Sequence, residues 1–278
     1  MDGVEHKNLT MLCVHAHPDD EALFTAGVQA HYSRQGVRQV LITCTVGDLG
    51  FDPSGKGFRD DGYDADAVRE TRAEELESSC SILGIDRAVQ FGYHDSGMAG
   101  WDTNEDPKSF MNQAVTEVAQ RIAAVIEQEQ PQVVVTYAAD GFYGHPDHIA
   151  THFATMEAIA MTHCVEKVYF VALAKTALAR FIDLARGAGM TLPEWLDAGL
   201  VHGIDDDLVQ TSIDCHDVVE AKHRALAAHR SQHDNDDLVA MPNDLFAAVF
   251  GTESFVRGVN TTDAPLPESD LFAGIRPE

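Results

Sequence analysis

TMLCVHAHPDDE, residues 10–21, begins as a short apolar run and ends in two histidines, a proline and three acids. An apolar stretch of that length without polar alternation reads as a strand buried on both faces. The polar turn at its end is where a parallel α/β sheet carries its chemistry, because ligands bind beyond the carboxyl ends of the strands.

Strand and helix alternate outward from this stretch. A helix is predicted over residues 21–35, carrying Leu23, Phe24, Val28 and Tyr32, and a second strand over 38–46 (RQVLITCTV). A Gly- and Asp-rich loop leads to a helix over 66–83 that stops at Gly84, then to a strand near 87–92 and a helix near 108–129. Pro131 separates that helix from the strand QVVVTY (132–137), which is followed by a helix over 146–162 and the strand KVYFVAL (167–173). The pattern predicts an α/β protein: a Rossmann-like, mostly parallel sheet with helices on both faces. Beyond residue 175 it loosens. TSIDC (211–215), a helix near 216–230 and TESFVRG (252–258) suggest a smaller α+β part. The expected division is residues 1–175 as the catalytic, metal-binding domain and 176–278 as a C-terminal part closing the substrate cleft.

Composition narrows the partners. The 278 residues are 45% hydrophobic, enough for a substantial core, and carry a formal charge of −26. Such a surface repels phosphate backbones and anionic membranes, so neither nucleic acid nor a membrane is an expected partner. MDGVEHKNLT has neither a basic start nor an apolar stretch, and no run approaches the roughly 20 apolar residues of a membrane span, so a cytoplasmic protein is expected. The five cysteines are scattered and never form C-x-x-C, which reads as buried thiols; the sequons at Asn8 and Asn260 then carry little weight.

A second polar cluster, GFYGHPDHIATH (141–152), follows QVVVTY as HAHPDDE follows the first strand, and five of the 14 histidines fall in these two segments. A helix cap explains an Asp at 19 or 20, and Pro146 suits a first helical turn. Neither explains the imidazoles or the second occurrence of the pattern. His-x-x-Asp from one loop and a His from another supply two imidazoles and a carboxylate, the ligand set of a catalytic zinc with a position open for water. His15 and His152 read as packing imidazoles beside that set.

AHPDDE followed by GHPDH on this scaffold resembles the LmbE-like (PIG-L) N-acetylglucosaminyl de-N-acetylases. RAEEL (72–76) and DSGM (95–98) extend the resemblance, which spans most of residues 10–155; AHRSQ (228–232) and ESFVR (253–257) are similar to the family's C-terminal portion. The resemblance implies that His17, Asp20 and His148 hold the metal, Zn2+ or in the cell Fe2+, and that Asp19 is the general base. It implies His145 as acid or electrostatic partner, Asp147 as the residue orienting its ring, and Tyr143 as a mobile side chain near the oxyanion. Arg72, Asp95 and Met98 would meet the substrate, a small N-acetylated sugar. DSGMAGW (95–101) and GFYGHPDH (141–148) resemble most the deacetylase of mycothiol biosynthesis, whose substrate is a glucosaminyl-inositol; an S-conjugate amidase of the same family would share every catalytic residue.

The chemistry of these residue types agrees with that implication. Amide hydrolysis needs a nucleophile, oxyanion stabilisation and a proton for the leaving amine. A metal held by two neutral imidazoles and one carboxylate keeps positive charge, so its water falls to a pKa of about 7. Two adjacent acids allow one to bind metal and the other to take the water's proton, while a histidine made cationic by Asp147 would steady the oxyanion. Glu21 reads as helix-start charge. GFDPSGKG (50–57) has the glycine spacing of a phosphate loop but lacks the hydroxyl residue after Lys56 and carries Asp52 where phosphate would sit, so it reads as a loop near the mouth. An iron oxygenase would leave Asp20 idle, and a sugar-binding or metal-storage protein would have no use for Asp19 or His145. Substrate choice is expected in loops 47–65 and 93–107.

Overall fold

Every residue of β1 (Thr10–His15) is buried in the computed structural model, which describes residues 9–190 and 203–276. β2 (Arg38–Thr45) and β4 (Val133–Thr136) flank it in parallel, with Leu12 opposite both Val40 and Val134. β3 (Arg87–Tyr93) adds beyond β2 and β5 (Lys167–Ala172) beyond β4, also in parallel. β7 (Thr252–Asn260) pairs antiparallel with β5 and with β6 (Thr211–Asp214), completing a seven-stranded sheet of order β3-β2-β1-β4-β5-β7-β6. The chain builds outward on one side of β1 and then returns to β4 on the other. The switch point therefore lies between β1 and β4, the two strands that precede the polar clusters.

Successive residues of a strand point to opposite faces, and β1 feeds two cores accordingly. Met11 and Cys13 pack with Tyr32 of α1 (Ala26–Arg34) and Leu76 of α2 (Ala65–Leu83). Leu12 and Val14 pack with Ile122 of α3 (Val115–Glu129) and Ala158 of α4 (Pro146–Met161). The first core also takes in Phe181 of α5 (Lys175–Gly187), Leu226 of α6 (Val219–Ala228) and Phe246 of α7 (Asn243–Phe250). All five cysteines are free. Asn8 lies outside the described residues. Among the described residues no helix is long and apolar enough to cross a membrane.

Two boundaries differ from expectation. The helix expected from residue 21 opens with a π turn, Glu21–Thr25, before α1 proper. The helix expected from 108 starts at Val115, because Thr103, Asn104 and Asn112 bond backbone carbonyls of their own loop and hold it in separate 3-10 turns.

The C-terminal elements seat directly on α1. Glu253 of β7 accepts from the backbone N–H groups of Gly27 and Val28, at 2.7 and 2.9 Å, and pairs with Lys222 of α6 at 2.6 Å. All these groups are buried, and a broken buried pair leaves an uncompensated charge. Glu253→Ala is expected to lower the stability of the folded chain by about 3–5 kcal/mol, read as a drop in the urea midpoint; Glu253→Gln, which keeps an acceptor for Gly27 and Val28, is expected to fall between the two.

Candidate active site

The turn after β1 places Asp20 at the centre of a cluster. Its Oδ2 accepts from the His17 backbone N–H and from the Tyr137 hydroxyl, each at 2.7 Å, and its carboxylate lies 3.3 Å from His17 Nδ1 and 3.4 Å from His148 Nε2. Tyr137 is the first residue beyond β4, and its ring stacks on His148 with centroids 4.0 Å apart and planes 8° from parallel. The cluster thus unites the two strand ends.

The imidazoles have defined hydrogen positions. His148 Nδ1 donates to the Gly141 carbonyl at 3.1 Å, leaving Nε2 as a bare acceptor. Gly141 has φ +69°, and a Cβ there would stand 2.9 Å from Ile149, so only glycine presents that carbonyl. His17 Nε2 lies 3.2 Å from Asp147 Oδ2 and 3.6 Å from Asp95 Oδ1, so a hydrogen sits there, and Nδ1 faces Asp20 at 3.3 Å. His145 Nδ1 accepts from the Asp147 backbone N–H at 3.2 Å, so its hydrogen sits on Nε2 and the ring is a donor.

His148 Nε2 is buried and has no hydrogen-bond partner, while facing a carboxylate. Two lone pairs pointed at one another in a buried site are unfavourable unless a proton or a metal ion lies between them. The charges agree. Burial acts to lower the pKa of His17, yet Asp95, Asp147 and Asp20 hold it well above the ordinary histidine range. Burial likewise acts to raise Asp20, yet His148 and His17 hold it well below the usual carboxylate range. The donor atoms of His17, His145 and His148 lie within 4.8 Å of one another, as do those of His17, Asp95, His145 and Asp147. The residues fit a divalent cation.

Asp19, adjacent to Asp20, points elsewhere. Its φ is +127°, its side chain is 14% exposed against 4% for Asp20, and its carboxylate sits 3.1 Å from Arg72 Nη2. Burial and Asp20 outweigh Arg72, pushing the Asp19 pKa up to about 6. Arg72 is buried and both its terminal nitrogens are engaged, Nη1 donating to Gly47 and Nη2 to the Pro18 carbonyl as well as Asp19, while its Nε has no partner. Asp95 accepts from the Gly97 N–H at 2.8 Å, and Met98 is half-buried in the same loop. Tyr143 lies 5.0 Å from the His148 ring and 6.0 Å from that of His145, in a turn where Phe142 has φ +70°.

The carboxylate of Asp147 faces His17 and Ser96 instead of His145, which it reaches only through its amide. His145 is accordingly not held cationic: burial, with His17 and His148 nearby, pushes its pKa well below the ordinary value. The phosphate-loop lookalike closes on itself, with Asp52 accepting from the N–H groups of Ser54 and Lys56 that would cradle a phosphate.

Residues 12–159 match the PIG-L family, described as GlcNAc-PI de-N-acetylase. The chain belongs to that family. Over 283 residues it is 36% identical to the 1D-myo-inositol 2-acetamido-2-deoxy-alpha-D-glucopyranoside deacetylase of Acidothermus cellulolyticus, covering 96% of this chain and 95% of that one. Among solved structures, the N,N'-diacetylchitobiose deacetylase of Pyrococcus horikoshii shares the PIG-L fold at TM-score 0.58 and 20% identity, covering 92% of this chain and 87% of that one. So does the 4-carboxy-2-hydroxymuconate hydratase of Pseudomonas putida, at TM-score 0.59 and 17% identity over 93% and 99% of the two chains. A fold shared with a hydratase does not choose a chemistry; the side chains do.

Several contributors lie outside the AHPDDE and GHPDH motifs. Tyr137 ends an apolar strand and looks like core, although a hydroxyl at the carboxyl end of a central strand is the signal that marks it. His15 approaches that hydroxyl at 3.1 Å and His152 the Tyr137 carbonyl at 2.8 Å. Ser96 donates to Asp147 from both its N–H and its hydroxyl. Removing the hydroxyl on Asp20 frees that carboxylate to turn, so Tyr137→Phe is expected to weaken zinc affinity about 10- to 100-fold, measured by titration against a competing chelator.

Proposed function

We propose that the protein is a metal-dependent de-N-acetylase that hydrolyses the N-acetyl group of an N-acetylglucosaminyl-inositol. The buried, partnerless His148 Nε2 beside Asp20 carries the metal half of this reading; the 36% identity to a 1D-myo-inositol 2-acetamido-2-deoxy-alpha-D-glucopyranoside deacetylase supports the substrate half. His17, Asp20 and His148 hold the ion, which is Zn2+, with Fe2+ equally acceptable to this donor set. When bound, such an ion supplies a Lewis acid and an acidified water.

The chain's own residues do the rest. Asp19, kept off the ligand set by its turn, accepts the proton of the attacking water. His145 donates a hydrogen bond from Nε2 to the developing oxyanion, and Tyr143 stands beside it as a second donor; the proton that Asp19 took from the water is the one passed to the leaving amine. Asp147 holds His17 in the tautomer that binds. Asp95 and Met98 face the sugar, whereas Arg72, already engaged, steadies the turn that carries Asp19. Substrate choice rests with loops 47–65 and 93–107, which are joined by Phe58 stacked on Trp101 at 4.8 Å. The described residues of the C-terminal part close the cleft, a reading supported by Gln232 lying against the loop at Gly50.

Chelation is expected to abolish primary-amine release from a panel of N-acetylated sugars, and zinc or ferrous iron to restore it, with the glucosaminyl-inositol the best substrate. Persistence of amine release after metal removal overturns the reading. Asp19→Asn is expected to keep its zinc and lose about 10²–10⁴ in kcat. The base works as a carboxylate, so kcat/KM of the parent should fall with decreasing pH. A bound cation draws the Asp19 pKa downward, so the fall should begin no higher than about 6.

A further inference from the structure

The peptide joining Pro18 to Asp19 is gripped at both ends. Its carbonyl accepts from Arg72 Nη2, and its N–H donates to Glu21 Oε2 at 3.0 Å. The φ of +127° at Asp19 is one that L residues seldom adopt and that persists only where the surroundings over-determine it. The two grips supply that constraint. Glu21 is fully buried, and its other oxygen, Oε1, accepts from Ser79 at 2.5 Å and from His229 Nε2 at 2.6 Å. His229 is the residue just beyond α6, 208 positions along the chain from Glu21, and its Nδ1 is buried with no partner. The one hydrogen bond of its ring is therefore the one to Glu21.

We infer that His229 is a positioning residue for the reaction: by holding Glu21 Oε1 it keeps Oε2 on the Asp19 N–H, and so keeps the Asp19 carboxylate turned away from Asp20. The inference rests on the reading of Asp19 as general base. Without His229, Glu21 Oε1 keeps only the Ser79 hydroxyl, so the carboxylate can shift, the Pro18–Asp19 peptide can relax toward an ordinary φ, and a relaxed Asp19 swings from the water toward the ligand set. Displacement of a catalytic group by about 1 Å costs on the order of 100-fold in rate.

The test uses the zinc-loaded enzyme and an N-acetylglucosamine amide, with kcat expressed per bound zinc so that loss of folded protein does not register. His229→Ala is expected to lower kcat per zinc about 10- to 100-fold with KM changed less than about threefold. His229→Gln, whose amide reaches where Nε2 stood, is expected to restore most of the loss; His229→Asn, whose amide falls short, is not. A structural role alone would reduce the folded fraction and leave kcat per zinc intact. A His229→Ala enzyme with parental kcat per zinc overturns the inference. If that variant does not fold, equal kcat per zinc in the Gln and Asn variants overturns it. Asp19→Asn, run in parallel, separates the two levels: full turnover there defeats the assignment of the base, whereas loss there with none in the His229 series defeats only the positioning role.

Discussion

A single carboxylate, that of Asp20, decides how the two halves of the site meet. Its hydrogen bonds from the His17 N–H and the Tyr137 hydroxyl come from the ends of β1 and β4, so it spans the switch point of the sheet. The Tyr137 bond would not exist if β4 lay anywhere but beside β1, and the return of the chain from β3 to β4 puts it there. His148 reaches the same carboxylate from the next turn, aligned by the stacked Tyr137 ring. The placement of three buried polar side chains thus follows from strand order more than from any local preference.

Adjacent acids with different environments give the motif its division of labour. Asp20 is surrounded by donors and imidazoles and stays ionised; Asp19, one residue earlier, has Arg72 beside it and a higher pKa. What separates them is the backbone of one residue. The rare φ at Asp19 sets the turn that sends its carboxylate to Arg72 while that of Asp20 faces His17 and His148.

The strands and the two histidine clusters were legible because each depends on local signals: apolar runs of strand length, Gly84 as a helix stop, and paired His/Asp motifs at strand ends. The π turn at Glu21 and the late start of α3 were not, because they follow from side-chain bonds to distant or loop partners. The same limit explains the site. His17, Asp20 and His148 announce themselves by residue type. Whether Asp147 orients His145 or His17 depends on the direction of one carboxylate, which no spacing encodes. Arg72 looks like a ligand-facing charge in one dimension, yet in three its terminal nitrogens are engaged with Gly47, Pro18 and Asp19. His229 and Glu253 join residues more than two hundred positions earlier, and composition offers no hint of either contact.

The position of β7 has a bearing on how the molecule is made. β7 lies between β5 and β6, so β6 leaves the ribosome before the strand it must pair with exists, and α1 awaits the carboxylate that accepts its first amides. A nascent chain that has reached β5 already displays both histidine clusters but cannot yet lock the helix behind them. Assembly therefore finishes by insertion late in synthesis, through closures of very long span that form slowly, and a chain cut short before this strand would carry every motif residue on an unfinished scaffold.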